Sequence, residues 1–211
     1  MSGDRYRTVA REAVAEIEVK RSRFRCRVVR VASEAGARAV VEEERRAHWD
    51  ARHHCSAFVV GPGGELQRSS DDGEPAGTAG APMLEVLLGA EVSDVVAVVT
   101  RWFGGVLLGA GGLVRAYGDA VRAGLDEAGV LVRERQQEYA VALDHAEAGR
   151  VESALRTRGV AVLGVDYAAL ATLRVGVPPA EAASLTGWLA ELTGGTASPL
   201  LLGEQWVDLP D

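Results

Sequence analysis

Hydrophobic and polar positions alternate with a period of two near the start of the chain, and this pattern predicts β-structure over residues 15–30. Ile17 and Val19 share one face of the predicted strands. Ser22, Phe24, Cys26 and Val28 then alternate with arginines, which therefore lie side by side on the opposite face. These are Arg21, Arg23, Arg25 and Arg27. We interpret this arginine face either as a phosphate-contacting surface for RNA or as charge that protects an edge strand from aggregation.

Apolar residues at helical spacing predict three helices in the first two thirds of the chain, and Ser33 is the expected N-cap of the first. The three helices cover residues 34–49, 82–88 and 113–128. The continuous apolar run at residues 95–100 predicts a strand buried on both faces, and residues 56–60 predict a shorter one. Two glycine-rich segments without periodicity, residues 69–80 and 104–112, are predicted to be loops.

The pattern changes from about residue 138 onward. Strands are predicted at residues 139–143, 160–167, 169–175 and 200–207, and helices at residues 146–158 and 179–192. This βαββαβ order is that of a ferredoxin-like domain. We therefore expect an α+β protein with two domains, residues 1–135 and 136–211, and a boundary in the charged stretch 133–138.

The composition allows two ordinary hydrophobic cores, because 47% of the 211 residues are hydrophobic. The net charge of −7 makes the protein a poor generic binder of nucleic acid. However, residues 1–55 hold 13 lysines and arginines against 9 acidic residues, so a local basic surface remains compatible with the acidic whole.

No uncharged apolar run reaches the roughly 18 residues of a membrane span, and residues 1–11 lack the apolar core of a secretory signal. Cys26 and Cys55 are too few for a disulfide framework, and we expect both to be free thiols. These features predict a cytoplasmic protein without membrane contact.

The first glycine-rich loop carries three carboxylates, Asp71, Asp72 and Glu74, just ahead of a predicted helix. Carboxylates in this position can cap turns and the helix end, bind a cationic partner, or hold a hard cation such as Mg²⁺. The spacing is not that of an EF-hand. We expect capping, with partner binding and metal binding as alternatives.

The second glycine-rich loop follows a buried strand and leads into a helix N-terminus, where exposed amides favour an anion. Val114 stands where a dinucleotide fingerprint needs its third glycine, and no Gly-Lys-Ser/Thr follows, so neither nucleotide motif is present. Tight backbone packing is an equally good interpretation of the glycines. Arg101 and Arg115 flank this loop and either supply charge to a bound phosphate or pair with the carboxylates of the first loop.

Two histidines and a cysteine, His53, His54 and Cys55, precede the strand at residues 56–60. Because neighbours in a strand point to opposite faces, only His53 and Cys55 share a face, and two ligands do not make a zinc site. Packing and hydrogen bonding are the expected roles. Metal binding and a thiol nucleophile with His53 as its base are weaker alternatives.

Two long motifs give the chain a family resemblance. Residues 71–84, DDGEPAGTAGAPML, resemble the hallmark of the YigZ/IMPACT family, and residues 101–117, RWFGGVLLGAGGLVRAY, resemble its second signature. Shorter motifs occupy positions where that family has similar ones: Lys20, Ser22, Arg23 and Phe24, and the His53-His54-Cys55 run. The resemblance covers nearly the whole first domain, whereas the second matches by pattern and position only.

The resemblance implies an N-terminal domain like the second domain of a small-subunit ribosomal protein, a β-α-β fold shared with translational GTPases. It implies a C-terminal ferredoxin-like domain resembling the last domain of elongation factor G. The family's eukaryotic members regulate translation by competing for the activator of a starvation-responsive kinase, but that partner is not implied for a bacterial-looking two-domain chain. Fold alone does not give function.

We therefore expect a non-catalytic binding or regulatory protein connected with translation, which contacts RNA or a ribosome-associated protein and needs no cofactor or metal. The alternative is an enzyme acting on a small phosphorylated or carboxylated ligand, with the acidic loop as acid–base or Mg²⁺ site and the second loop as anion clamp. No nucleophile–base pair is evident in the sequence, and we assign no catalytic residue.

The arginine face at residues 21, 23, 25 and 27 is the predicted nucleic-acid surface. The residues predicted to bind a ligand or partner are His53, Asp71, Asp72, Glu74, Thr78, Arg101, Gly104, Gly105, Gly109, Gly111, Gly112 and Arg115. One continuous surface formed by the arginines and both loops would favour an extended ligand. A small pocket with the carboxylates inside it would favour an enzyme.

Overall fold

A computed structural model describes residues 4–209 of the chain. Its helices and strands confirm the predicted mixed α+β class. The strands are β1 Arg5–Val9, β2 Ala13–Val19, β3 Ser22–Arg30, β4 His53–Val60, β5 Leu66–Ser70, β6 Val95–Trp102, β7 Val130–Leu143, β8 Ala161–Tyr167, β9 Ala171–Val177 and β10 Pro199–Asp208. The helices are α1 Glu34–Ala47, α2 Gly80–Gly89, α3 Ala110–Ala128, α4 His145–Thr157 and α5 Ala182–Thr193, with a short 3-10 helix at Pro179–Glu181.

The first domain is built on an antiparallel sheet with the strand order β2-β3-β6-β4-β5. Strand β6 lies in its middle, and every side chain of the apolar run Val95–Val99 is completely buried. Helix α1 covers one face of the sheet, and helices α2 and α3 cover the other. The prediction of a strand buried on both faces is therefore confirmed, although the sheet is antiparallel.

Strands β2 and β3 form a hairpin in which Val19 pairs with Ser22. The two turn residues, Lys20 and Arg21, have φ angles of 48° and 66°, as a two-residue type I′ turn requires. Arg21 therefore lies in the turn, so only the other three arginines of the predicted face belong to β3.

The edge-strand interpretation of the arginine face is wrong. Strand β3 pairs with β2 on one side and with β6 on the other, so it lies inside the sheet. The arginines of β3 therefore do not protect an open edge, and their role follows from the groups that they contact on the α1 face of the sheet.

Several boundaries differ from the sequence pattern. Strands β1 and β5 were not predicted, because both are short and β5 is largely polar. Helix α3 begins at Ala110, three residues earlier than predicted, directly after Gly109, which has a φ of 74°. Strand β7 begins at Val130, so the charged stretch at residues 133–138 is part of a strand and not a linker.

The structure separates into two compact units, residues 4–132 and 133–209. In the second unit the strands lie in the order β10-β7-β9-β8, and all neighbours are antiparallel. With the chain order β7-α4-β8-β9-α5-β10, this is the predicted ferredoxin-like arrangement. Leu155, Leu173, Leu185 and Leu189 are completely buried in its core. None of the helices within residues 4–209 is long and apolar enough to cross a membrane.

A candidate binding site at the loop end of the first domain

Both signature loops meet at one end of the five-stranded sheet. His53 at the start of β4 pairs with Arg101 near the end of β6, and β5 runs antiparallel to β4, so its C-terminus is at the same end. The loop after β5, residues 71–79, and the loop after β6, residues 103–109, therefore lie beside each other. We call this part of the molecule the loop end.

Asp71 organises the acidic loop from its first position. Its Oδ1 accepts hydrogen bonds from the backbone N–H groups of Ala79 at 3.0 Å and Gly80 at 2.8 Å, and its Oδ2 accepts one from Gly77 at 2.8 Å. Partial burial by itself would raise the pKa of Asp71, but these three N–H groups hold it below its ordinary value. Because Ala79, the N-cap residue of α2, has no capping side chain, Asp71 supplies the cap from a distance.

Asp72 ties the loop to strand β4 and helix α1. Its Oδ2 accepts a hydrogen bond from the backbone N–H of His54 at 2.7 Å, and its Oδ1 lies 2.7 Å from the Arg45 guanidinium. Thr78 closes the following turn by donating to the carbonyl of Pro75 at 2.6 Å. Asp71 and Asp72 thus have structural partners, which agrees with the capping alternative.

Glu74 points inward and joins the two loops. One of its oxygens, Oε1, accepts hydrogen bonds from Arg101 at 2.6 Å and from the Tyr117 hydroxyl of α3 at 2.7 Å. The Glu74 and Arg101 side chains are only 4% and 7% exposed. This is the pairing of Arg101 with a loop carboxylate that the sequence left open. Arg115 makes no such pair, and its Nε donates to the carbonyl of Gly111 at 3.3 Å.

Cys55 lies behind this pair and is completely buried. Its Sγ is 3.0 Å from the carbonyl oxygen of Asp71 and 3.3 Å from the Tyr117 hydroxyl. Burial raises the pKa of the Cys55 thiol and also that of the Tyr117 hydroxyl, with the neighbouring carboxylates adding to the first effect. The thiol is therefore neutral and without nucleophilic character at pH 7. Within residues 4–209, no cluster of three metal-ligating side chains is present.

The glycines of the second loop serve two different purposes. At Gly104 a side chain would overlap the backbone of Arg21 in the β2–β3 turn, and the Gly104 N–H donates to Ser22 Oγ at 3.1 Å. Gly105 and Gly109 have positive φ angles of 83° and 74°. The loop is thus anchored on the hairpin at one end and turns sharply into α3 at the other.

The N-terminus of α3 has no capping side chain. Gly109 is the N-cap, and the first intrahelical hydrogen bond runs from the Leu113 N–H to its carbonyl. The preceding N–H groups, at Ala110, Gly111 and Gly112, therefore have no helical acceptor, and the helix end is suited to an anion. At Gly111 no heavy atom lies within 4 Å of where a side chain would begin.

A cavity of about 390 Å³ opens between the two loops. His53 contributes to it, and its Nδ1 lies 2.9 Å from the carbonyl oxygen of Asp72. Since a carbonyl only accepts, Nδ1 carries the proton, and Nε2 of the neutral ring is an acceptor. The polar residues of the wall are Arg52, His53, Glu74 and Arg101, and the apolar ones include Pro75, Phe103, Leu107, Leu108 and Leu113.

The arginine face lies on the opposite side of the sheet, against α1. Arg25 contacts the buried Glu44 at 2.5 Å, and Arg27 contacts Glu12 at 2.7 Å and Glu43 at 3.0 Å. Arg23 instead places its guanidinium 3.8 Å from the centre of the Trp102 ring, a cation–π contact. Arg25 and Arg27 therefore face α1, whereas Arg21 lies in the hairpin turn against Gly104 of the second loop. Of the three loop carboxylates only Glu74 lines the cavity.

The sequence pattern missed several exposed residues at the loop end. Arg52 is exposed, and no carboxylate in the described part of the chain pairs with it. Trp49, just beyond α1, is 82% exposed, Leu107 is 83% exposed, and Phe103 is 47% exposed. Phe103, Val106 and Leu107 have the i, i+3, i+4 spacing of a buried helix face, so the signal for their exposure is the glycines around them, which argue against a helix there.

Two family models match the chain, one within each of the two structural units. The Impact N-terminal domain matches residues 20–125, and a domain of unknown function, DUF1949, matches residues 141–196. Fold and matches together define a two-domain α+β protein with an Impact N-terminal domain and a ferredoxin-like C-terminal domain. The chain belongs to the IMPACT family.

The similarity extends over nearly the full chain. The IMPACT family member YvyE of Bacillus subtilis is 40% identical and aligns with 90% of this chain and 88% of its own length. The IMPACT family member YigZ of Escherichia coli is 39% identical, with 89% of this chain and 93% of its own length aligned. The crystal structure of a hypothetical protein superimposes on this chain with a TM-score of 0.63, and the two sequences are 37% identical. The match covers 93% of this chain and 97% of that protein's chain.

Proposed function

We propose that this protein is a non-catalytic binding protein connected with translation, and that its loop end docks on a ribosome-associated protein. The observation that carries the proposal is the exposure of Phe103, Val106 and Leu107 on a loop whose base is fixed to the β2–β3 hairpin. Apolar side chains presented together on a rigid support are typical of protein–protein contact sites.

The distribution of charge favours a protein partner over RNA. Arg25 and Arg27 already have carboxylate partners, so contact with phosphate would require those ion pairs to break. Aliphatic side chains such as Val106 and Leu107 do not stack on bases, whereas apolar pockets of a protein accept them. The net charge of −7 adds a general repulsion of nucleic acid.

The connection with translation rests on the resemblance of the two domains to domains of a ribosomal protein and of elongation factor G. A cytoplasmic location is consistent with Cys26 and Cys55, because both are buried free thiols.

The alternative, an enzyme for a small phosphorylated or carboxylated ligand, draws support from the cavity and from the acceptor Nε2 of His53. It is weaker because the hydrogen bonds of Asp71 and Asp72 are taken up within the fold. The thiols do not supply a nucleophile either: burial raises the pKa of Cys26 to about 12, and the Cys55 thiol is shifted in the same direction.

Cosedimentation with purified bacterial ribosomes tests the proposal. We compare the unaltered protein with Leu107→Asp at the loop end and, as a matched control, Leu88→Asp on α2, where the leucine is 40% exposed. The proposal predicts sedimentation with ribosomes that persists at high salt, is weakened about tenfold or more by Leu107→Asp, and is unaffected by Leu88→Asp. Absence of sedimentation, or equal loss in both variants, would refute it. Binding that falls steeply with salt and is competed by free RNA would assign RNA instead.

A further inference from the structure

The cavity at the loop end contains groups that the fold leaves without partners. Arg101 is 7% exposed, and its Nε is a buried donor with no acceptor in the described chain. Arg52 at the rim has no carboxylate partner within residues 4–209. The N–H groups at the start of α3 are uncapped. Arg52 and the N–H groups at the start of α3 thus face the cavity without acceptors, and Arg101, which also lines the cavity, keeps a buried donor in the same condition.

The net charge of the residues that line the cavity favours an anion. Among the described residues that line the cavity, Glu74 is the only acidic one, and its Oε1 accepts hydrogen bonds from both Arg101 and Tyr117. With this pair compensated, the charge of Arg52 remains, together with the positive end of the α3 dipole at Gly109 and Ala110. An anion that enters the cavity therefore meets a net positive wall.

The apolar lining and the volume of the cavity indicate what kind of group carries the anion. Phe103, Leu107, Leu108 and Leu113 give one side of the cavity an apolar lining. A volume of about 390 Å³ is near the lower limit for ligand pockets, which suits one large side chain with its carboxylate better than a nucleotide. On the other side, Nε2 of His53 is an acceptor that a peptide N–H satisfies.

We propose that this cavity binds the C-terminal residue of a protein chain that ends in an apolar amino acid. The terminal carboxylate lies toward Arg52 and the start of α3, the apolar side chain lies against Phe103 and the leucines, and the terminal amide N–H donates to His53 Nε2. Capture of a C-terminal carboxylate by backbone amides is a known mode of peptide recognition. The inference rests on the proposed function only in taking a protein as the ligand.

The test uses the full-length protein labelled with ¹⁵N and three small probes. They are N-acetyl-Gly-Gly-Leu with a free carboxylate, the same peptide as its amide, and 4-methylpentanoate, which has the side chain and the carboxylate but no peptide N–H. Titration is followed by NMR at the amides of Gly109, Ala110 and Gly111. We expect the free peptide to shift these signals and to bind at least tenfold more tightly than either other probe.

Arg52→Gln removes the unpaired cation, and Arg68→Gln on β5 is its charge-matched control, because Arg68 lies outside the cavity wall. We expect Arg52→Gln to weaken the free peptide at least fivefold and Arg68→Gln to leave its affinity unchanged. Equal binding of the acid and the amide, equal loss in both variants, or no shift at millimolar peptide would overturn the proposal. Equal affinity for 4-methylpentanoate would overturn the peptide source and assign a small carboxylate. Since no ribosome is present, failure here is separate from failure of the cosedimentation experiment.

Discussion

The buried pair of Glu74 and Arg101 offers the sharpest test of how the loop end is held together. Replacing Glu74 by Leu leaves the Arg101 guanidinium, 7% exposed, without its counter-charge, and it removes the acceptor of the Tyr117 hydroxyl. Replacing Arg101 by Met leaves the carboxylate, 4% exposed, in the same condition. Removing one partner of a buried ion pair costs about 3–5 kcal/mol, and we expect this loss from each single variant.

The double variant Glu74→Leu/Arg101→Met separates the ion pair from the contacts around it. When both charges go, no uncompensated charge remains, so we expect a loss of about 2 kcal/mol or less, mostly from the Tyr117 hydroxyl left without its acceptor. A matched control is Glu43→Ala, because Glu43 pairs with Arg27 but is 51% exposed. Exposed pairs contribute about 0–1 kcal/mol, and we expect no larger effect.

Amide hydrogen exchange in strand β6 measures these changes in the first unit alone. The amides of Val96–Val99 lie in the core of that unit, so their protection reports its opening free energy without interference from the second unit. A global denaturation curve would mix the two units. If the double variant loses as much as the two single variants together, the uncompensated charge is not the cause and the reasoning is refuted.

Three further predictions concern the thiols, the loop glycines and the first aspartate. Cys26 and Cys55 should resist iodoacetamide at pH 8 in the folded protein and react fully in urea, as measured by mass spectrometry, because both are buried with raised thiol pKa values. Gly104→Ala should lower the opening free energy of β6 by more than about 2 kcal/mol through its overlap with the hairpin turn, while Gly111→Ala changes it by less than about 1 kcal/mol. Asp71→Asn should destabilise the first unit by about 1 kcal/mol at pH 7, since the cap of α2 is weakened. Because the pKa of Asp71 is lowered in the fold, its contribution is complete above the ordinary aspartate value of about 3.9 and is lost as the pH falls below it, so the variant should show a flatter acid limb in hydrogen exchange or circular dichroism.

Each of these three predictions can be contradicted by one result. Alkylation of Cys55 in the folded protein at the rate of a free thiol would show that the loop end opens readily. Equal effects of the two glycine variants would mean that the close approach at Gly104 does not constrain the loop. An unchanged acid limb in Asp71→Asn would mean that the three N–H groups at Asp71 do not set its pKa.

The parts of the fold that the sequence predicts correctly are those whose pattern is local. The apolar run in β6 predicts a buried strand, and Ser33 caps α1 by accepting from the Gly36 N–H at 3.1 Å. The ferredoxin-like order also follows from alternation within short segments. The first half of β7 was not predicted, because its side chains are mostly polar. Two of them pair with acidic residues of β10: Arg135 with Glu204, and Arg133 with Asp208.

The candidate site was harder to predict because its contacts join distant positions. The pairing of Arg25 with Glu44 depends on which helix covers that face of the sheet, and the pairing of Arg101 with Glu74 depends on which loop lies beside the end of β6. Alternation gives the face of the strand but not the neighbour. The same is true of Arg23, whose partner Trp102 is set by the register of β3 against β6. Alternation places Arg23, Arg25 and Arg27 correctly on β3 and Arg21 wrongly, and it does not show that Arg25 and Arg27 are already paired with carboxylates.

The residues of the loop end fall into two sets with different physical roles. Within the signatures, Asp71 caps α2, Asp72 holds β4, Glu74 binds Arg101, and Gly104 admits the hairpin backbone. These side chains are engaged by the fold, so their replacement acts first on the stability of the first unit. A second set is left without partners in the described chain. Arg52 and His53 Nε2 lie outside the two signatures, whereas Phe103, Val106 and Leu107 are exposed residues of the second one. Variants of that second set therefore separate binding from folding, and recognition is best sought there and not at the engaged residues of the signatures.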